Sequence, residues 1–235
     1  MSSSMRAELL IQAARFNGAP GIYADASWFA PWLTPTRLAA MRRRTDAART
    51  LNRFLLQQPE PLESVAPEAF SDPLLQLLTQ TTLNIPQLAM WAGLALHHRS
   101  LKRIICGRRQ RELKVAFGEE GYRFALERAQ FMLGVAWDHI PALADSDMPA
   151  VYKMIQCAGV TLLATASANL PPPAQKRLAF FFPKQQSHCF AHCPTNDEMP
   201  DITLDEGHLD AVEKARGLLF KIAQEVMSKW KPISF

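Results

Sequence analysis

Glycine is scarce. Ten glycines in 235 residues, with no Gly-X-Y period and no short tandem repeat, exclude collagen-like and simple repeat architectures. The four cysteines, Cys106, Cys157, Cys189 and Cys193, fall far below the density of a disulfide scaffold, which predicts reduced thiols in a cytoplasm. No apolar run has the length of a membrane span. The longest stretches without Asp, Glu, Lys or Arg run from Pro73 to His98 and from Met154 to Gln175. The first carries Pro86 with Gln and Asn and the second ends in Pro171-Pro172-Pro173, so both read as core helices and not as the roughly 20 apolar residues of a span. After Met-Ser-Ser-Ser-Met-Arg6, the segment Ala7 to Gln12 is too short and polar for a secretory signal, and export by the general route is not expected.

Chemical signatures are missing as well. The chain has no GxGxxG or GxxxxGK[ST] phosphate loop, no GxSxG elbow and no HExxH pair. It therefore reads as a protein without an enzymatic activity, a catalytic residue or a cofactor.

What is present is a globular composition, 48% hydrophobic and 20% charged, patterned with helical periodicity nearly throughout. Thr34-Pro35 pairs a capping hydroxyl with a first-turn proline. Leu38, Met41, Ala48, Leu51 and Leu55 follow on one stripe, predicting a single helix of about six turns. Ser71-Asp72-Pro73 repeats the start signal before Leu74, Leu75, Leu77 and Leu78. Pro86 opens a wide-faced helix that turns basic beyond His97-His98 and ends or bends at Gly107. A shorter helix with Leu113 and Phe117 reaches Gly118, and another follows through Tyr122 to Leu133. Val151 to Ala166 is the clearest helix, and Ala158 and Gly159 would permit close contact with a neighbour. Ala174 to Phe182 begins as a helix, while Phe180-Phe181-Phe182 before Pro183 fits a short extended segment at 178–183 equally well. A capping box, Thr203 with Glu206, starts the terminal helix. The prediction is an all-α fold: one helical domain over 1–235 with about eight helices, residues 1–33 as an N-terminal extension and 184–202 as a polar loop.

Charge is segregated more than it is abundant. The net charge is only +4, yet six arginines lie between Arg37 and Arg53 against Asp46, and seven basic residues between Arg99 and Lys114 against Glu112. Seven acids occupy Asp197 to Glu213, with Lys or Arg absent up to Lys214. Such blocks suit charged partners or self-complementary faces. In the second basic block, Leu101, Ile104 and Ile105 are expected to anchor the segment to the core. Arg99, Lys102, Arg103, Arg108 and Arg109 would then project outward, toward an acidic protein partner. The alternative is a helical DNA-binding regulator using residues 99–114, with Gly107-Arg108-Arg109-Gln110-Arg111 opening the recognition helix. His188, Cys189, His192 and Cys193 crowd four metal-ligand types into six residues. Zinc normally joins separated ligand pairs, so this cluster reads as a polar loop without a metal.

Lys153-Met154-Ile155-Gln156-Cys157-Ala158-Gly159 through Asn169-Leu170-Pro171, closing with Gln175-Lys176-Arg177-Leu178-Ala179-Phe180-Phe181-Phe182-Pro183, resembles the C-terminal part of the SctK family. These are cytoplasmic accessory proteins of the type III secretion injectisome. A looser likeness covers Leu74 to Arg103. The resemblance implies a mostly helical, non-enzymatic adaptor of the cytoplasmic sorting platform, peripheral at the inner-membrane base of the apparatus. It would link an SctD-like inner-membrane ring protein to an SctQ-like pod protein, and through that pod to SctL-like and SctN-like ATPase components. It brings no active site and no small-molecule substrate. The Arg42-Arg43-Arg44 run and the 184–202 loop match no part of its pattern.

Overall fold

Asp72 shows how the punctuation in the sequence becomes helix starts. Its Oδ1 accepts from the backbone N–H of Leu74 at 2.8 Å and of Leu75 at 3.2 Å, satisfying two donors that the first turn leaves without intrahelical partners. Thr34 Oγ1 accepts from Arg37 N in the same way. The computed structural model describes residues 3–57, 62–80, 85–133, 143, 147–191 and 208–227. Among these residues the fold is all-α: twelve α-helices with short 3-10 turns, and no strand. In chain order they are α1 (Ser3–Gly18), α2 (Pro20–Tyr23), α3 (Pro35–Arg42), α4 (Thr45–Leu56), α5 (Pro73–Gln80), α6 (Ile85–Leu96), α7 (His98–Lys102), α8 (Gly107–Glu127), α9 (Met148–Ala166), α10 (Pro172–Ala179), α11 (His188–Ala191) and α12 (His208–Met227). None of the described helices is long and apolar enough to cross a membrane.

The chain divides into two compact units, one from Met1–Ile85 and Ser167–Cys193, the other from Pro86–Ala166 and Pro194–Phe235. In the first, Phe29, Leu38, Leu51, Leu55 and Phe180 form a buried cluster. The stripe predicted as one helix from Pro35 breaks into α3 and α4, with Arg44 extended between them. Arg42 closes α3 just before the break. Its guanidinium leaves the arginine run, donating from Nε to Gly21 O at 2.9 Å and from Nη2 to Ala24 O, and it lies over the Phe29 ring.

The predicted alternative of an extended 178–183 gives way to a helical turn. Phe180, Phe181 and Phe182 donate to the carbonyls of Arg177, Leu178 and Ala179 at 3.1–3.2 Å. All three rings are buried and each has its own aromatic partner: Phe180 meets Trp28, Phe181 stacks on Tyr23 and Phe182 on Phe190. A strand would alternate these rings between two faces, whereas the tight turn spreads them over three neighbours. Phe190 also organises the start of the predicted polar loop, where a 3-10 turn at Lys184–Gln186 leads into α11. Residues 192–202 lie outside the described residues.

In the second unit α12 packs extensively along α9, and Arg216 Nε donates to Ala166 O at the end of α9. The close helix contact predicted at Gly159 is made with α6. A Cβ on Gly159 would stand 1.8 Å from Ala89 O, and one on Gly93 would stand 1.9 Å from Ile155 O. Gly118 divides α8 at the predicted point, with φ +75° and ψ 156°, a conformation that side chains with a Cβ resist.

Candidate partner-binding site

The basic segment 99–114 is held from beneath. Leu101 and Leu113 are fully buried in a cluster with Leu94, Tyr122, Ala125, Val151 and Ile155, and Ile104 packs against its edge. Between α7 and α8 the backbone of 104–106 is non-helical, so consecutive side chains diverge. Ile104 turns in and Ile105 turns out.

This corrects the expectation for Ile105. It is 88% exposed and anchors nothing. A second apolar side chain, Val115 on α8, is equally exposed, and the sequence reading did not single it out. Its position was legible. It sits two residues from buried Leu113, on the opposite side of the helix, and four and seven residues from Arg111 and Arg108, on the basic side.

The five predicted basic residues divide by environment. Arg99, Lys102, Arg103 and Arg108 are exposed, as expected, while Arg109 is partly buried. Lys102 Nζ donates to Gln130 Oε1. Glu112 serves two arginines, meeting Arg108 Nε at 3.1 Å and Arg109 Nη1 at 3.5 Å. One carboxylate therefore offsets part of two cations, and the pair with exposed Arg108 is worth only about 0–1 kcal/mol. Glu112 is the one acid in the 99–114 segment, so the segment keeps a net positive charge.

Two neighbouring groups tune the surroundings. His98 is buried, with Nδ1 3.0 Å from Ala95 O, and burial pushes its pKa below the ordinary histidine value. It is therefore neutral at pH 7 and adds no charge to the face. Cys106 is exposed at the start of α8, where the backbone amides of Arg109 and Arg108 hold its thiol below the ordinary cysteine value.

Along the first half of α8, Arg108, Arg109 and Arg111 rim a shallow surface groove with Glu112. Val115, Ala116 and Met148 from the start of α9 form its apolar part. Phe117 stacks on Tyr152 at 5.5 Å nearby. The arginine run near the N-terminus makes a different arrangement: Arg42 is committed to backbone carbonyls and Arg44 pairs with Asp46 at 2.9 Å. Among the described residues no three His, Cys, Asp or Glu side chains converge as a metal site. Cys189 Sγ lies 3.7 Å from His188 Nε2, while His192 and Cys193 fall outside the described residues.

The family model described as YOP proteins translocation protein K (YscK) matches residues 11–230. No curated protein and no solved structure matches the chain.

Proposed function

The chain belongs to the YscK family, the SctK family of type III secretion proteins, matched over all but ten N-terminal and five C-terminal residues, and on that premise we propose that it works by assembly and not by catalysis. It is read as a cytoplasmic adaptor at the inner-membrane base of the secretion apparatus, an all-α chain joining an SctD-like ring protein to an SctQ-like pod protein. Contact with SctL-like and SctN-like components would be indirect.

The observation that carries a binding role is the mixed character of the 99–115 face. Exposed cations supply long-range attraction and faster encounter with an acidic partner. Ile105 and Val115, each 88% exposed, supply the apolar contact that charge alone does not. The same pair weighs against the DNA-binding alternative, because phosphate is met by grouped cations and gains nothing from exposed aliphatic side chains. Gln110, a candidate base-reading residue, is instead engaged through Nε2 with Ile104 O at 3.0 Å.

The test is a triple charge reversal, Arg99→Glu, Arg103→Glu and Arg108→Glu, chosen from the exposed positions and leaving partly buried Arg109 in place. Circular dichroism and melting should stay near wild type. Association with SctD-like or SctQ-like partners at low salt should slow by about tenfold or more, and the difference should shrink as salt rises. Unchanged association would remove this face from the interface. Retention of duplex DNA by the wild type and its loss in the variant would favour the regulator instead.

A further inference from the structure

The groove on α8 narrows the kind of partner this face fits. Its wall is the first half of that helix, where Arg108, Arg111, Glu112 and Val115 recur at spacings of three, four and seven and so share one side. Met148, at the start of α9, closes the opposite edge. Three arginines against Glu112 leave the rim with an excess of two positive charges, while Val115 and Ala116 run as an apolar strip between them. Val115 is almost wholly exposed on a helix whose buried face is already complete. A lone exposed aliphatic residue is ordinary. One lying in a concave strip, rimmed by cations and with a thioether at its edge, has the features of a helix-accepting groove.

We infer that this groove seats an amphipathic helix of a protein partner, a ridge of aliphatic side chains on Val115, Ala116 and Met148 flanked by carboxylates that meet Arg108, Arg109 and Arg111. Charge complementarity selects the occupant: a basic or neutral amphipathic helix would leave the rim cations facing like charge or none. The inference rests on the partner-binding reading of the 99–115 face and specifies which part of that face the partner enters.

The probe is a fluorescein-labelled peptide of about 15 residues, with leucines at i, i+3, i+4 and i+7 spacing and glutamates on both flanks. A scrambled peptide of the same composition keeps the charge and loses the ridge. Fluorescence anisotropy with the full chain should show the patterned peptide binding at least tenfold more tightly than the scrambled one. Val115→Asp, at an exposed position that leaves the core intact, should abolish that preference, whereas Val115→Leu should keep it. Cys106, exposed one turn before the groove, gives a second readout: the patterned peptide should slow its alkylation by a maleimide and the scrambled peptide should not.

Equal binding of the two peptides, or a preference that survives Val115→Asp, would overturn the groove. Failure of the groove is separable from failure of the adaptor reading, because Val115→Asp alters the groove's apolar strip without touching Arg99 or Arg103, whereas the triple charge reversal changes only Arg108 among the groove's lining residues. If that reversal weakens assembly while Val115→Asp does not, the basic face binds the partner and the groove does not.

Discussion

Arg177→Met is expected to lower the stability of the chain by about 3–5 kcal/mol, read by urea unfolding. The residue lies in α10 and is 1% exposed, making it the largest fully buried side chain among the described residues. Its guanidinium ties two chain segments of the first unit together. Nη1 donates to Phe16 O and Asn17 O at 3.3 and 2.8 Å, Nη2 to Leu62 O and Glu63 O at 3.4 and 3.1 Å, and Nε to Glu63 O at 3.3 Å. Phe16 and Asn17 close the last turn of α1, the negative end of that helix, which favours a cation there. Burial still pulls the arginine's pKa below its ordinary value, but arginine starts so high that it stays charged at neutral pH. Methionine fills much of the space and offers no donor, so the four carbonyls lose their shared partner in a setting where water cannot replace it fully. Arg177→Lys should recover only part of the loss, because an ammonium cannot spread donors over carbonyls on two segments. Lys176→Met, one residue away and exposed, should cost about 1 kcal/mol or less. An Arg177→Met chain that unfolds at the wild-type urea midpoint would show that the tie contributes nothing.

Gly159→Ala should also destabilise, in the second unit, with a sign opposite to helix propensity. Alanine is favoured over glycine in a helix interior by about 1 kcal/mol, so propensity alone predicts stabilisation. The neighbour decides otherwise. The new Cβ would stand 1.8 Å from Ala89 O and 2.6 Å from Ala89 C, and these are backbone atoms of α6 that cannot swing away. The helices would have to part by roughly an ångström or more, opening the packing beside Gly93 and Ile155, and overpacking of this kind costs about 1–3 kcal/mol or more. Gly93→Ala meets Ile155 O at 1.9 Å and should behave alike. The two changes act on one helix crossing, so the double variant should not be additive. Gly217→Ala is the matched control. It lies inside α12 with nothing within 4 Å of the added Cβ, and it should stabilise by about 0.5–1 kcal/mol. Stabilisation by both Gly159→Ala and Gly217→Ala would mean that α6 and α9 do not approach as closely as described.

Arg177 also shows where the sequence was readable and where it was not. The run Lys176-Arg177-Leu178-Ala179-Phe180-Phe181-Phe182-Pro183, which carries part of the family resemblance, has a physical content that the structure supplies. Arg177 takes an apolar-face position beside Ala174 and Leu178, three and one residues away, and the phenylalanines after it fill three aromatic niches. A charge on the buried side of an amphipathic helix was the available signal. The carbonyls it serves were not available, since they lie more than a hundred residues upstream and only tertiary folding brings them near. Thr34, Asp72, Gly118 and Gly159 were legible because caps, positive φ and close approach are local demands on a single residue. The division at Arg43–Arg44 was not, because the apolar stripe continues across it and the contacts Arg42 makes beside it reach Gly21 and Ala24, 21 and 18 residues upstream.

At the candidate site the same distinction holds. Outward cations at Arg99, Lys102 and Arg103 followed from periodicity around buried Leu101. Ile105 did not, because hydrophobicity assigned it inward while the non-helical link between α7 and α8 turned it out. Val115 was hidden for the converse reason: one valine on a polar helix face looks incidental until Met148, brought in by α9, shows it to be part of a strip.

The central claim, that this chain acts by binding within the type III secretion apparatus, is tested most directly by purifying the tagged chain from its native cells after mild cross-linking and identifying what comes with it. SctD-like and SctQ-like secretion components should be recovered with the wild type and depleted with Arg99→Glu, Arg103→Glu and Arg108→Glu at equal chain abundance. Recovery of the wild-type chain with no secretion component attached, from cells that have assembled the apparatus, would contradict it.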